Sequence, residues 1–305
     1  MDLSVRLGPL ELANPIVAAS GTFGHGDEVA RVCDPSELGA VTAKSQAIFT
    51  WEGNPAPRLH PTAAGMLNSV GLQGRGIDDW IAVDLPGLQA MGARVIASVW
   101  GRSIDDYRDA ATKLRDVDVI AVEVNLSCPN VEQSSEMFAH DQGATEAAIA
   151  AVVGSGVGRP VFAKLSPNVT DIVAIARAAQ RGGAAGVTLV NTVLGLAVDS
   201  RRRRPVLGRA IGGLSGAAIK PIALRAVAEV QSALPDLPII GTGGVSTGED
   251  AVEMLLAGAS AVGVGTATFA DPRAPVTILH QLRRWCERNR VAAVRELVGA
   301  LEMTR

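Results

Sequence analysis

Several things are scarce in this chain, and each scarcity removes a class of explanation. There are 3 cysteines among 305 residues. Cys33, Cys128 and Cys286 are too far apart for a C-x-x-C metal pattern and cannot all pair, so free thiols in a reducing cytoplasm are expected. An iron–sulfur cluster cannot be built from this chain alone. His25, His60, His140 and His280 show no ligand spacing, so no metal site is expected. No apolar run is long enough to cross a bilayer, and the N-terminus lacks the basic-then-apolar signal pattern. A cytoplasmic protein with no membrane contact is the expectation. Excess charge of one sign is missing too. The 28 basic and 31 acidic residues leave −3, so nothing global draws nucleic acid or an anionic surface. Arg201 to Arg204 is a local exception and reads as a solvated loop. Aromatics are 3% while 33 residues are glycine, which suits close helix-and-strand packing and disfavours a β-sandwich.

What is present is a repeating unit. Short apolar runs recur at Pro15–Ala19, Gly39–Ala43, Arg94–Val99, Val117–Asn125, Pro160–Leu165, Gly186–Val190, Pro238–Gly241 and Ala261–Val264. Each reads as a strand buried on both faces. Helical patterns lie between most of them. Thr170–Arg181 carries Ile172, Ile175, Ala176 and Ala179 on one face and stops at Gly182-Gly183. Ser246-Thr-Gly-Glu249 reads as a capping box opening a helix that ends at Gly258. Alternation of this kind in about 300 residues predicts an α/β protein, a single (β/α)8 TIM barrel over 1–305 with a small N-terminal hairpin at Gly8-Pro9 and inserted lid loops. An open doubly wound sheet is the alternative, and the lack of G-x-G-x-x-G after the first strand counts against it.

In a barrel the strand ends share one rim, where such enzymes do their chemistry. Here those ends are Ser20, Lys44, Ser98, Asn125 with Cys128, Lys164, Asn191-Thr192, Gly243-Gly244 and Gly265-Thr266. Two lysines following buried apolar runs need an anionic partner. Gly241-Thr-Gly-Gly-Val245 and Gly263-Val-Gly-Thr266 follow the last two strands, the usual phosphate position in this fold. Gly212–Gly216 offers a third wall. Cys128 is a nucleophilic thiol where Pro129 stops a strand. Val131–Gln142 after it, with Met137 and Phe138, is long enough for a lid. The polar insertion Asn68–Gln73 could bind the rim of a small planar substrate. Trp285, Leu282 and Ile278 form a helical stripe that reads as core or subunit contact.

Taken together, Asn125-Leu-Ser-Cys-Pro-Asn130, Ser20-Gly-Thr-Phe-Gly24, Lys44-Ser45, Asn68-Ser-Val-Gly-Leu-Gln73, Gly212–Pro221 and Gly263-Val-Gly-Thr266 resemble dihydroorotate dehydrogenase over nearly the whole chain. The resemblance is to class 1, type B catalytic subunits, since class 2 enzymes use a serine base and carry a membrane-associating N-terminal extension. It implies FMN on the rim and dihydroorotate stacked on it, within pyrimidine (UMP) biosynthesis. Cys128 would take the C5 proton while hydride passes from C6 to flavin N5. Ser20, Lys44, Ser45, Ser98, Asn125, Lys164, Val190, Gly216, Gly243, Gly244, Gly265 and Thr266 would hold FMN, with Lys164 near flavin N1. Lys44, Asn68, Ser69, Val70, Gly71, Leu72, Asn125, Asn191 and Thr192 would hold dihydroorotate or orotate. Ser98 stands where the family usually has Asn, and Gly74 replaces the usual Asn after Gln73. The resemblance further implies a homodimer and a partner subunit carrying FAD and a [2Fe–2S] cluster that passes electrons to NAD. Two readings stay open beside it: a dihydropyrimidine dehydrogenase-like flavoprotein, which shares the Asn-x-Ser-Cys-Pro pattern, and the fumarate-using type A enzyme. Outside the redox enzymes, a barrel that binds a phosphate ligand is the third.

Overall fold

The computed structural model describes residues 1–127 and 138–302. Eight parallel strands close into a barrel in chain order: β1 (Ile16–Ala18), β2 (Ala40–Thr42), β3 (Val95–Val99), β4 (Ala121–Asn125), β5 (Val161–Lys164), β6 (Gly186–Leu189), β7 (Ile239–Thr242) and β8 (Ala261–Val264). The ladder closes where β8 pairs with β1, with Val262 opposite Ile16 and Val264 opposite Ala18. Every residue of these strands is buried. Their side chains alternate between the barrel interior and the surrounding helices, and apolar β-branched and alanine residues satisfy both faces. Gly186 on β6 leaves the room that the Phe162 ring takes up, because a Cβ there would lie 2.6 Å from that ring.

Helices at Ile104–Thr112, Gln142–Gly154, Ile172–Arg181, Lys220–Ala233, Gly248–Leu256 and Ala274–Arg288 cover the outside, and Ile77–Ala90 is helical with one π turn at its centre. The first crossover has only a 3₁₀ turn, Pro35–Glu37. Asp171 starts the Ile172–Arg181 helix by accepting from the Ala174 N–H at 2.9 Å, so Thr170 stays outside it. The N-terminal hairpin pairs Val5–Leu7 with Leu10–Leu12, turning at Gly8 in the left-handed region.

Two expectations are corrected. The fourth strand starts at Ala121, not Val117, because the chain leaves the preceding helix through turns in which the Val117 N–H donates to the Leu114 carbonyl. The capping box is formed one residue later than Ser246–Glu249, by Thr247 and Asp250. The Asp250 carboxylate accepts from the N–H of Ser246 and Thr247 and from the Ser246 hydroxyl, at 2.8–2.9 Å.

One layer was not foreseen. An antiparallel sheet of four strands lies beside the barrel, in the order Val193–Leu196, Ile211–Ser215, Gly65–Asn68, Leu59–Thr62. It joins the Asn68 segment and the Gly212–Gly216 segment edge to edge, with Asn68 opposite Gly213.

Asp250 also meets the Lys220 ammonium at 2.6 Å. Burial pushes the Asp250 carboxyl up, but the hydrogen bonds from Lys220, Ser246 and Thr247 outweigh it and hold it below the usual carboxylate range. A depressed carboxyl stabilises the fold fully above its unfolded value, about 3.9, and loses that contribution as pH falls through the folded value. Asp250→Asn is therefore expected to cost about 1–3 kcal/mol at pH 7. In urea unfolding the gap from the parent should narrow as pH falls below about 4.

Candidate active site

The C-terminal ends of seven of the eight strands, all but β3, line one cavity of about 360 Å³, a size typical of small-molecule sites. Its wall takes Ser20 after β1, Lys44 and Ser45 after β2, Asn125 from β4, Lys164 from β5, and Val190 to Thr192 after β6. Gly243 and Gly244 follow β7, and Gly265 and Thr266 follow β8. The antiparallel sheet and its extension contribute Asn68, Val70, Gly71, Leu72, Ser215 and Gly216.

Beneath the wall runs a hydrogen-bonded chain of small polar groups. The Ser20 hydroxyl donates to the Ala43 carbonyl at 2.7 Å. Ser45 Oγ lies 2.9 Å from Ser98 Oγ and accepts from Asn125 Nδ2 at 3.0 Å. Asn125 Oδ1 in turn accepts from Ser127, and Ser127 Oγ accepts from Asn191 Nδ2 at 2.8 Å. Tyr107 fixes the backbone here, donating its hydroxyl to the Asn125 carbonyl at 3.0 Å. Because each buried polar atom in this chain has a partner, the amides that face the cavity are held in one orientation.

Both lysines foreseen from the strand ends reach the cavity. Lys164 is buried, and its ammonium sits 3.9 Å from the Glu123 carboxylate, deeper in the barrel. Lys44 is half-buried on the opposite side of the ring of strands, its stem packed against Gly21. Lys220 is engaged by Asp250 and Glu253 at 2.6 and 2.7 Å.

The residues fit a flavin mononucleotide on three observations. Thr242 Oγ1 is buried at the cavity with no hydrogen-bond partner. Gly243 and Gly244 both have positive φ, and a Cβ on Gly244 would lie 2.5 Å from Lys220 Cβ, so backbone alone forms that part of the wall. A Cβ on Gly265 would meet only Ala19 and Thr22, at 3.7 and 3.8 Å, so packing does not require glycine there. The absence of that Cβ serves the cavity side. The two cations complement a phosphate and an electron-rich ring.

Most foreseen residues come together, and two do not reach the wall. Ser69 is fully buried and accepts from Asn54 Nδ2 at 3.0 Å, while its neighbours Asn68 and Val70 line the cavity. Extended chain turns alternate side chains to opposite faces. Ser98 stands behind Ser45 and meets the cavity only through it. Cys128 and residues 131–137 of the expected lid lie outside the described residues. Reading the motifs missed Ser127, Thr242 and Phe269, and also Glu123. The signal for Glu123 was present, a carboxylate in the apolar run Ala121–Val124. Among the described residues no group of three or more His, Cys, Asp or Glu could hold a metal ion.

Comparison with known proteins bears on this geometry. The family model described as dihydroorotate dehydrogenase matches residues 2–285. The catalytic subunit of dihydroorotate dehydrogenase B (NAD(+)) from Alkaliphilus metalliredigens is 46% identical over 301 residues, covering 99% of each chain. The proteins of the same name from Bacteroides thetaiotaomicron and Geotalea uraniireducens are 43% and 45% identical, covering 98–99% of each chain.

The Ser45 hydroxyl is the node of the buried chain. Ser45→Ala is expected to cost about 1–3 kcal/mol, because it leaves the Asn125 amide without its acceptor. Denaturant unfolding measures this, and a change under about 0.5 kcal/mol would place the network outside the stabilising interactions.

Proposed function

This chain belongs to the dihydroorotate dehydrogenase family, and on that premise we propose that it is the catalytic subunit of a type B enzyme. It is an oxidoreductase acting on dihydroorotate. The finer reading is oxidation of dihydroorotate to orotate on FMN, in de novo pyrimidine biosynthesis, by one FMN-binding unit spanning 1–305. One observation carries it: seven of the eight strand ends converge on a cavity that holds two lysines and three glycine-rich segments.

Bound FMN supplies the two-electron acceptor for the hydrogen leaving C6. The chain's own residues bind, orient and deprotonate. The Gly243-Gly244 and Gly265-Thr266 backbones, with Gly216, suit the phosphate end. Ser20, Ser45, Val190 and Lys164 suit the ring system, and Ser98 supports it through Ser45. Asn125 and Asn191, locked through Ser127, present fixed amides to a pyrimidine ring. Lys44 serves the substrate carboxylate, and Asn68, Val70, Gly71, Leu72 and Thr192 close around the ring. Cys128 acts as the base at C5. A thiol with an ordinary pKa of about 8.5 needs only a modest shift to serve near neutral pH.

The electrons then leave for NAD through a second subunit. The names of the relatives, which carry "NAD(+)" and "catalytic subunit", support this route. Such a subunit would carry the FAD and [2Fe–2S] cluster that three scattered cysteines cannot supply here. A homodimer of this chain is the proposed core of that assembly, in the cytoplasm. No helix among the described residues is long and apolar enough to cross a membrane.

The test is anaerobic mixing of the FMN-loaded protein with dihydroorotate. The flavin colour should bleach in the parent. Cys128→Ala should stay yellow while losing at least 100-fold in bleaching rate, the usual scale of a general base. Cys128→Ser should be slow and should recover as pH rises. Bleaching at the parent rate in Cys128→Ala would refute the base assignment, and a colourless parent that takes up no FMN would refute the reading as a whole.

A further inference from the structure

Below the cavity floor, β4 carries a second inward-facing polar residue two positions before Asn125. Glu123 is 2% exposed, and nothing in the proposed reaction uses it. Its Oε2 accepts from the Thr188 hydroxyl on β6 at 2.8 Å. Its Oε1 has no hydrogen bond and lies 3.9 Å from the Lys164 ammonium on β5. Register sets this arrangement, because Lys164 sits opposite Asn125 on one side and Thr188 on the other. A carboxylate this deep in an apolar barrel is tolerated only beside a cation. The separation makes an ion pair but leaves the ammonium outside hydrogen-bonding reach of the carboxylate. Lys164 is therefore neutralised in part from below while it still lines the cavity above.

We infer that Glu123 is a positioning residue that holds Lys164 at the cavity floor and tempers its charge, and thereby lowers the reduction potential of the flavin above it. The inference rests on the FMN reading of this cavity. A reduced flavin is anionic, so an uncompensated cation nearby favours it, and a carboxylate behind that cation disfavours it. Thr188 tunes the arrangement. Its hydroxyl draws the carboxylate away from Lys164, and without that bond the ammonium is the only partner left for it.

The experiment uses the FMN-loaded parent, Glu123→Gln and Thr188→Val. Sulfite is titrated by loss of flavin absorbance at fixed pH, since its flavin adduct adds negative charge to the ring. The potential is read against a reference dye. Glu123→Gln should bind sulfite on the order of tenfold more tightly and shift the two-electron equilibrium by a similar factor, ~30 mV upward. Thr188→Val should move both readings the opposite way, by several-fold. A purely structural Glu123 would change FMN retention and unfolding but neither reading. Unmoved or equally signed shifts in the two variants overturn the inference while leaving the FMN reading intact. A parent that takes up no FMN overturns both. Should Glu123→Gln not fold, Thr188→Val decides alone, and unweakened sulfite binding there overturns the inference.

Discussion

Closure of the parallel ladder is the constraint from which the rest follows. Once β8 pairs with β1, no strand edge remains, and all eight C-terminal ends must point to the same rim. Polar side chains placed late in each strand therefore have two options, which are to satisfy one another or to face a ligand. Ser45, Ser98, Asn125, Ser127 and Asn191 take the first and form a linked chain. Lys44, Lys164 and the glycine turns of β7 and β8 line the cavity, where a ligand can meet them.

The energetic logic divides the same way. Apolar burial on both faces of each strand supplies most of the drive to fold, and it is indifferent to chemistry. The polar chain contributes little net stability per bond, yet any single gap in it is costly. That asymmetry makes the site rigid, so amides that would otherwise rotate are presented in one orientation. Glu123 and Lys164 extend the pattern to charge, each standing as the other's oppositely charged neighbour at that depth.

Much of this was legible in the chain, because period and punctuation are local properties. Eight apolar runs, all but Arg94–Val99 ending in or followed at once by Gly, Asn, Lys or Ser, were enough for the barrel, and Ala261–Val264 coincides with β8 to the residue. Boundaries failed where a pattern had two solutions. Ser246–Glu249 and Thr247–Asp250 both satisfy the capping-box spacing, and only Asp250 lies within reach of Lys220. Val117 continues the apolar alternation but belongs to a turn. The antiparallel sheet was invisible because its segments lie up to about 150 residues apart in the chain and carry glycine and proline where β-formers would be expected. A motif locates a residue along the chain but not the face it turns to. Ser69 and Ser98 were therefore placed at the wall when they stand behind it.

The central claim is that the strand ends at one rim form a single flavin site. A crystal structure of the FMN-loaded protein with orotate tests it most directly. The account predicts the phosphate on the Gly243-Gly244 and Gly265-Thr266 backbones, the ring over Lys164, and orotate between the ring and Asn125 and Asn191. Flavin density at any other place on the barrel, with this rim filled only by solvent, would contradict it.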